Sequence, residues 1–145
     1  MAARAAATED ELREEEIVTD EAASASGAAG GRESVVTGVD RREGAVVLSL
    51  AGELDLYNAE EVRGALLDAC AGEPEVLVVD LEEVRFIDST ALGVLIEAQR
   101  SRMAERSGFR LAAPGLETRR ALEVSGLDRH FIVHDTVAEA LEAAR

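Results

Sequence analysis

The chain has 145 residues, enough for one compact domain, and 30 Asp and Glu residues against 15 basic ones give it a formal charge of −15. All of the basic residues are arginine, and an excess of negative charge this large weighs against binding a phosphate backbone or an anionic membrane surface. Protein and small-molecule partners remain.

Cys70 is the single cysteine, so no intramolecular disulfide is available, and the chain is expected in a reducing cytoplasm. In "ALLDACAG" it reads as a small apolar packing residue on a helix. No segment reaches the roughly 18 continuous apolar residues of a membrane helix. The opening "MAARAAA" has no apolar stretch behind it and runs at once into "TEDELREEE", which argues against a targeting peptide.

Residues 1–32 hold eight acidic residues, three arginines and ten alanines, with almost no large apolar side chains. Such a segment cannot bury enough surface to offset its ordering entropy, and it is predicted to be a disordered acidic tail. Residues 33–145 are predicted to form the folded domain. "SVVTGVDRREGAVVLSLAGEL" reads as two strands joined by a turn around Arg41–Gly44. "NAEEVRGALLDACAG" is a helix with Val62, Leu66, Ala69 and Cys70 at helical spacing, Asn58 as its cap and Gly72 at its end. "EVLVVDL" is the continuous apolar run of a strand buried on both faces.

"FIDSTALGVLIEAQRSRMAERSG" follows as a long helix with Leu92, Leu95, Ile96, Gln99 and Met103 along one side. "FRLAA" is a short strand, "PGLETRRALEVSG" a helix between Pro114 and Gly126, "HFIVH" a last strand, and "DTVAEALEAAR" a helix capped by Asp135 or Thr136. The order β-β-α-β-α-β-α-β-α predicts a single α/β domain: a mixed, mostly parallel sheet of four to five strands with about four helices and an antiparallel first strand at the edge.

An enzyme is the weaker reading. No glycine-rich phosphate loop occurs, and no nucleophile elbow surrounds a serine. His130 and His134 bracket a short strand and read as structural, so no metal site and no cofactor are expected.

Asp88, Ser89 and Thr90 stand between an apolar strand and an apolar helix. Either Ser89 or Asp88 can cap the helix. A phosphate on Ser89 would face the positive end of the helix, and Ala91 and Gly93 leave the first turn bare for a partner. On these grounds alone both a plain cap and a modified or contacted hydroxyl stand.

"VVDLEEVRFIDSTALGVLIEA" resembles the signature of the STAS domain, specifically the bacterial anti-sigma factor antagonists. "LAGELDLYNAEEVRGAL" resembles the family's G-E-L-D segment, and "FRLAAPGLETRRALEVSGLDRHFIVHDTVAEAL" its C-terminal part, so the resemblance spans roughly Ser34 to Ala144. It implies a binding module that engages an anti-sigma factor, itself a serine kinase, and so releases a sigma factor. Ser89 would be the phosphorylated residue that inactivates it. Asp55, Asp88, Thr90, Ala91 and Gly93 would contribute to partner contact, with Thr90 a second candidate acceptor. Many members carry glycine where this chain has Ala91, whose methyl is then expected on the contact surface at the second helical position. ATP would be held by the kinase, a serine phosphatase would restore the active form, and a monomer is the simplest state. The alternative is a non-switching STAS subunit of a stressosome or lipid-transport complex.

Overall fold

A computed structural model describes residues 34–104 and 107–143. The expected tail, residues 1–32, lies outside the described residues. The compact unit that contains the described fold begins at Val35.

Strands β1 (Val36–Arg42) and β2 (Ala45–Leu54) form an antiparallel hairpin, with Gly44 supplying the positive φ of 77° that its turn needs. Helix α1 (Ala59–Cys70), β3 (Val76–Ile87), α2 (Ser89–Ala104), β4 (Gly108–Ala112), α3 (Leu116–Ser125), β5 (Ile132–His134) and α4 (Val137–Ala143) follow. The five strands lie in chain order, β1-β2-β3-β4-β5, with every pair after the first parallel. Each crossover steps one strand further in the same direction, and crossovers of one hand then put α1, α2 and α3 on the same face. The packing agrees. One large apolar cluster joins Leu48, Leu54, Leu77, Val79 and Leu81 to Val62, Leu66, Leu95 and Leu122, while a smaller one joins Val47, Val76 and Val78 to Ala140 of α4. Leu77, Val78 and Val79 are completely buried, as a central parallel strand requires.

The sequence reading places the end of β3 near Leu81, but the strand runs on to Ile87. Leu81, Val84 and Ile87 are buried and the residues between them exposed, a spacing of three that a regular strand cannot produce. Two bulges explain it. Pairing passes from Ser49↔Asp80 to Ala51↔Glu83, and from Gly52↔Val84 to Glu53↔Phe86, so each shift adds one residue to β3. Bulges bend a strand and re-aim its end, and here that end leads straight into Asp88 and Ser89.

Three smaller expectations are corrected. Gly72 does not end α1: Ala71 is the C-cap in a right-handed conformation, and Glu73 takes the positive φ of 52°. The last carbonyls of α1 are met by the Glu73 amide at Cys70 O, 2.9 Å, and by the Arg41 guanidinium, which donates to Asp68 O at 2.9 Å and to Ala69 O at 3.5 Å. On α2, Met103 is exposed and Arg102 is buried in its place, donating to Pro74 O at 2.6 Å and Gly108 O at 3.2 Å. Asn58 precedes α1 without a side-chain cap bond, because its side chain turns back toward β2.

For α4 the choice is resolved: Thr136 Oγ1 accepts the Glu139 amide at 3.0 Å, while Asp135 pairs with Arg119. Gly126 ends α3 in the left-handed conformation, with φ 78°. Cys70 is half-buried against the large cluster.

Candidate functional site

Leu54, fully buried, anchors the end of β2, and its carbonyl accepts the Asp88 amide at 3.0 Å. This bond fixes the start of α2 beside the loop that leaves β2. Asp88 then caps the helix: its Oδ1 accepts the Ala91 amide at 2.9 Å, and its own carbonyl accepts the Leu92 amide at 2.9 Å. The choice between Asp88 and Ser89 as cap is thereby settled. Ser89 and Thr90 are the first two helical residues, both exposed, and neither hydroxyl nor backbone amide finds a hydrogen-bond partner among the described residues. The positive end of α2 therefore presents two free N–H groups beside a free serine hydroxyl.

Ala91 departs from expectation. With Asp88 as the cap it is the third helical residue, and it is 0% exposed. Its methyl packs in the core and does not reach a contact surface. Gly93, one helical turn below Ser89, is exposed, and a Cβ placed there would meet nothing within 4 Å. Ser89 and Gly93 thus share an open strip of the helix.

Asp55 lies on the opposite side of the same junction, half-buried. Its Oδ1 accepts the Tyr57 amide at 3.0 Å, and its amide donates to Asn58 Oδ1 at 2.9 Å. Asn58 Nδ2 in turn donates to Glu53 O at 2.8 Å, closing the loop on itself. Between Asp55 and Tyr57, the Leu56 amide donates to Asp88 Oδ2 at 3.1 Å. The structure thus brings Asp55, Asp88, Ser89 and Thr90 to one rim of the sheet, with Gly93 just below and Ala91 beneath the surface.

Two residues of this rim carry no assignment in the sequence reading. Leu56 is 59% exposed and Tyr57 78% exposed, both next to the Asp88 bond. Their signal was present in "DLYN", two large apolar residues where a strand-to-helix loop ordinarily carries polar ones.

A recess of about 1030 Å³ opens elsewhere, between α1 and α2, lined by Leu66, Cys70, Val94, Ala98, Ser101 and Arg102 among others. None of the rim residues lines it. His130 and His134 stay apart from the rim as well; His134 Nε2 lies 3.1 Å from Arg110 Nη1. Among the described residues no cluster of His, Cys, Asp and Glu could hold a metal ion, and no helix is long and apolar enough to cross a membrane.

Residues 38–140 match the STAS domain family. The chain belongs to that family. It is 34% identical over 113 residues to the anti-sigma-F factor antagonist RsfB of Mycobacterium tuberculosis, covering 78% of this chain and 92% of that protein. Among solved structures, an anti-sigma factor antagonist from Mycobacterium paratuberculosis superposes with a TM-score of 0.68 at 34% identity, covering 74% of this chain and 91% of that one. The Thermotoga maritima protein TM1081 superposes with a TM-score of 0.70 at 28% identity, covering 74% and 93%.

Proposed function

We propose that this protein is a cytoplasmic anti-sigma factor antagonist that binds an anti-sigma factor through the Ser89 rim and is switched off by phosphorylation of Ser89. The observation that carries the reading is the division of roles at the head of α2. Asp88 does the capping, so the Ser89 hydroxyl is exposed and has no structural duty. The site is an open rim and not a pocket, which suits a protein partner better than a small substrate. The naming of its relatives as anti-sigma factor antagonists supports the same role.

The chemistry belongs to the partner. An anti-sigma factor that is also a serine kinase holds ATP, and its γ-phosphoryl group passes to Ser89 Oγ. The bond to ADP breaks, a new P–O bond forms, and the hydroxyl proton leaves to a base on the kinase. The antagonist itself is a substrate and a ligand, not a catalyst. Phosphorylation adds about −1.5 to −2 charges directly beside Asp88 and across from Asp55. Docking such a group on a surface shaped for a hydroxyl costs affinity, and each 1.4 kcal/mol is about tenfold. A loss of ten- to a thousandfold in affinity, about 1.4 to 4 kcal/mol, is enough to free the anti-sigma factor for its sigma factor. A serine phosphatase restores the binding form.

The test is intact mass and peptide mapping after incubation with ATP and each candidate anti-sigma kinase of the same genome. One phosphate on Ser89, absent from Ser89→Ala, is the expected result. No phosphate with any active kinase removes the switch and leaves a non-switching STAS subunit as the reading.

A further inference from the structure

The carboxylate of Asp88 makes two bonds that serve different ends. Oδ1 caps α2 through the Ala91 amide at 2.9 Å, in a half-buried setting. Oδ2 reaches back 32 residues to the exposed Leu56 amide at 3.1 Å. We propose that Asp88 is a positioning residue: its Oδ2 fastens the Leu56–Tyr57 loop to the Ser89 end of α2, making of Leu56, Tyr57 and Ser89 one docking face for the anti-sigma factor, and a phosphate on Ser89 loosens that fastening. The phosphate half of the proposal rests on Ser89 being the acceptor, as read above.

The loop is built for display. Asp55 and Asn58 tie its backbone at both ends, so Leu56 and Tyr57 stand exposed on a chain with little freedom left to lose. A pre-ordered aromatic side chain sacrifices little entropy on docking and excludes water when covered, which is the usual character of an energetic anchor. The Asp88 bond ties this loop directly to the helix that carries Ser89.

A phosphate changes the balance at that bond. It would compete for the positive end of α2, where the Ser89 and Thr90 amides are open to it. It would also repel the carboxylate of the preceding residue. Of the two Asp88 bonds, the one to Ala91 is shielded by the half-buried cap and the one to Leu56 faces solvent, so the outer bond yields first. Asp55, whose carboxylate holds the Tyr57 amide, adds repulsion to the same loop. The switch then withdraws a docking surface as well as adding charge.

The test is amide hydrogen exchange by NMR on the full chain, with phosphoserine placed at position 89 during translation by codon expansion. Unmodified protein and Asp88→Asn serve as references. Asparagine retains an oxygen for the Ala91 cap but offers an NH₂ group toward Leu56, so it cuts the outer bond alone. Exchange at the Leu56 amide is expected to quicken about tenfold in the phosphoserine chain, as in Asp88→Asn, with Ala91 still protected. An unchanged Leu56 rate in the phosphoserine chain overturns the proposal. So does equal loss of protection at Ala91, which would mean that the helix end simply frays. Because the phosphate is installed without a kinase, either result stands apart from whether any kinase modifies Ser89.

Discussion

Asp88 caps the helix that Ser89 begins, its Oδ1 accepting the Ala91 amide at 2.9 Å, so neighbouring residues divide what a single capping serine would combine. Had Ser89 been the cap, its hydroxyl would be tied to a backbone amide, and phosphorylation would have to break the helix start. With Asp88 in that place, modification leaves the helix intact and acts on the surface.

Replacement of Ser89 therefore leaves folding unchanged, and its effect on binding depends on the charge introduced. Ser89→Ala is expected to unfold at the same urea concentration as the parent, to bind the anti-sigma factor within about twofold, and to accept no phosphate. Ser89→Asp places a carboxylate where the phosphate would stand, and its affinity is expected to fall by about tenfold or more. Isothermal titration of the two variants against the same anti-sigma factor separates these outcomes. Equal binding by both would end the switch model.

Tyr57 offers a second handle on the same face. It is 78% exposed, so truncation removes no core packing, and the melting temperature of Tyr57→Ala should match that of the parent. Loss of an exposed aromatic anchor typically costs 1 to 2 kcal/mol or more of binding, about five- to thirtyfold in affinity. Phosphorylation by the kinase should slow through a higher KM, with kcat nearly unchanged, because Tyr57 is expected to hold the kinase and not to touch the transferring phosphate. Parent-like affinity in Tyr57→Ala would place the loop outside the interface.

Gly93 separates stability from docking in the opposite sense. It sits inside α2 with open space around it, and glycine in a helix interior costs about 0.5–1 kcal/mol relative to alanine. Gly93→Ala is expected to raise unfolding stability by about that amount. Gly93→Arg should fold equally well, yet its long side chain would stand on the open strip below Ser89 and lower partner affinity. Urea titration and binding measured on the same samples check both halves. An affinity unchanged in Gly93→Arg would mean that the strip is left uncovered in the complex.

The alternation of strands and helices was legible because apolar runs and helical spacing report burial directly. Where the reading slipped, a contact distant in sequence had changed the local pattern. Leu81, Val84 and Ile87 recur every third residue, a spacing foreign to strands, and only the bulged pairing with β2 makes it one. Ala91 looked like a surface residue because the cap was open between Asp88 and Ser89, and that one-residue difference turns its methyl inward. Asp88, Ser89 and Thr90 could be named because polar residues at a strand-to-helix junction need a reason, and Asp55 only because the family resemblance implied it. Leu56 and Tyr57 carried only the weaker signal of two large apolar residues in a loop, which does not say whether they are buried or displayed. Their exposure follows from Asp55 and Asn58 bonding the loop backbone into a tight turn.

Arg102 shows the same principle in the core, where Met103 was the natural choice for a buried helix position. The arginine is 2% exposed, and its guanidinium donates to Pro74 O, just before β3, and to Gly108 O, at the start of β4. The two strands approach closely there, since a Cβ on Gly108 would lie 3.0 Å from Val76 Cγ2. One rigid fork thus joins the last turn of α2 to both neighbouring strands. Arg102→Met conserves much of the bulk but strands two carbonyls, at about 1–3 kcal/mol for each buried group left unsatisfied. A total loss near 3 kcal/mol is expected, read as a lower urea midpoint with the slope unchanged. Arg102→Lys should recover only part of it, because a single ammonium cannot reproduce the planar two-carbonyl geometry. A loss under about 0.5 kcal/mol in Arg102→Met would show that water replaces both bonds at no cost, and that the fork holds nothing together.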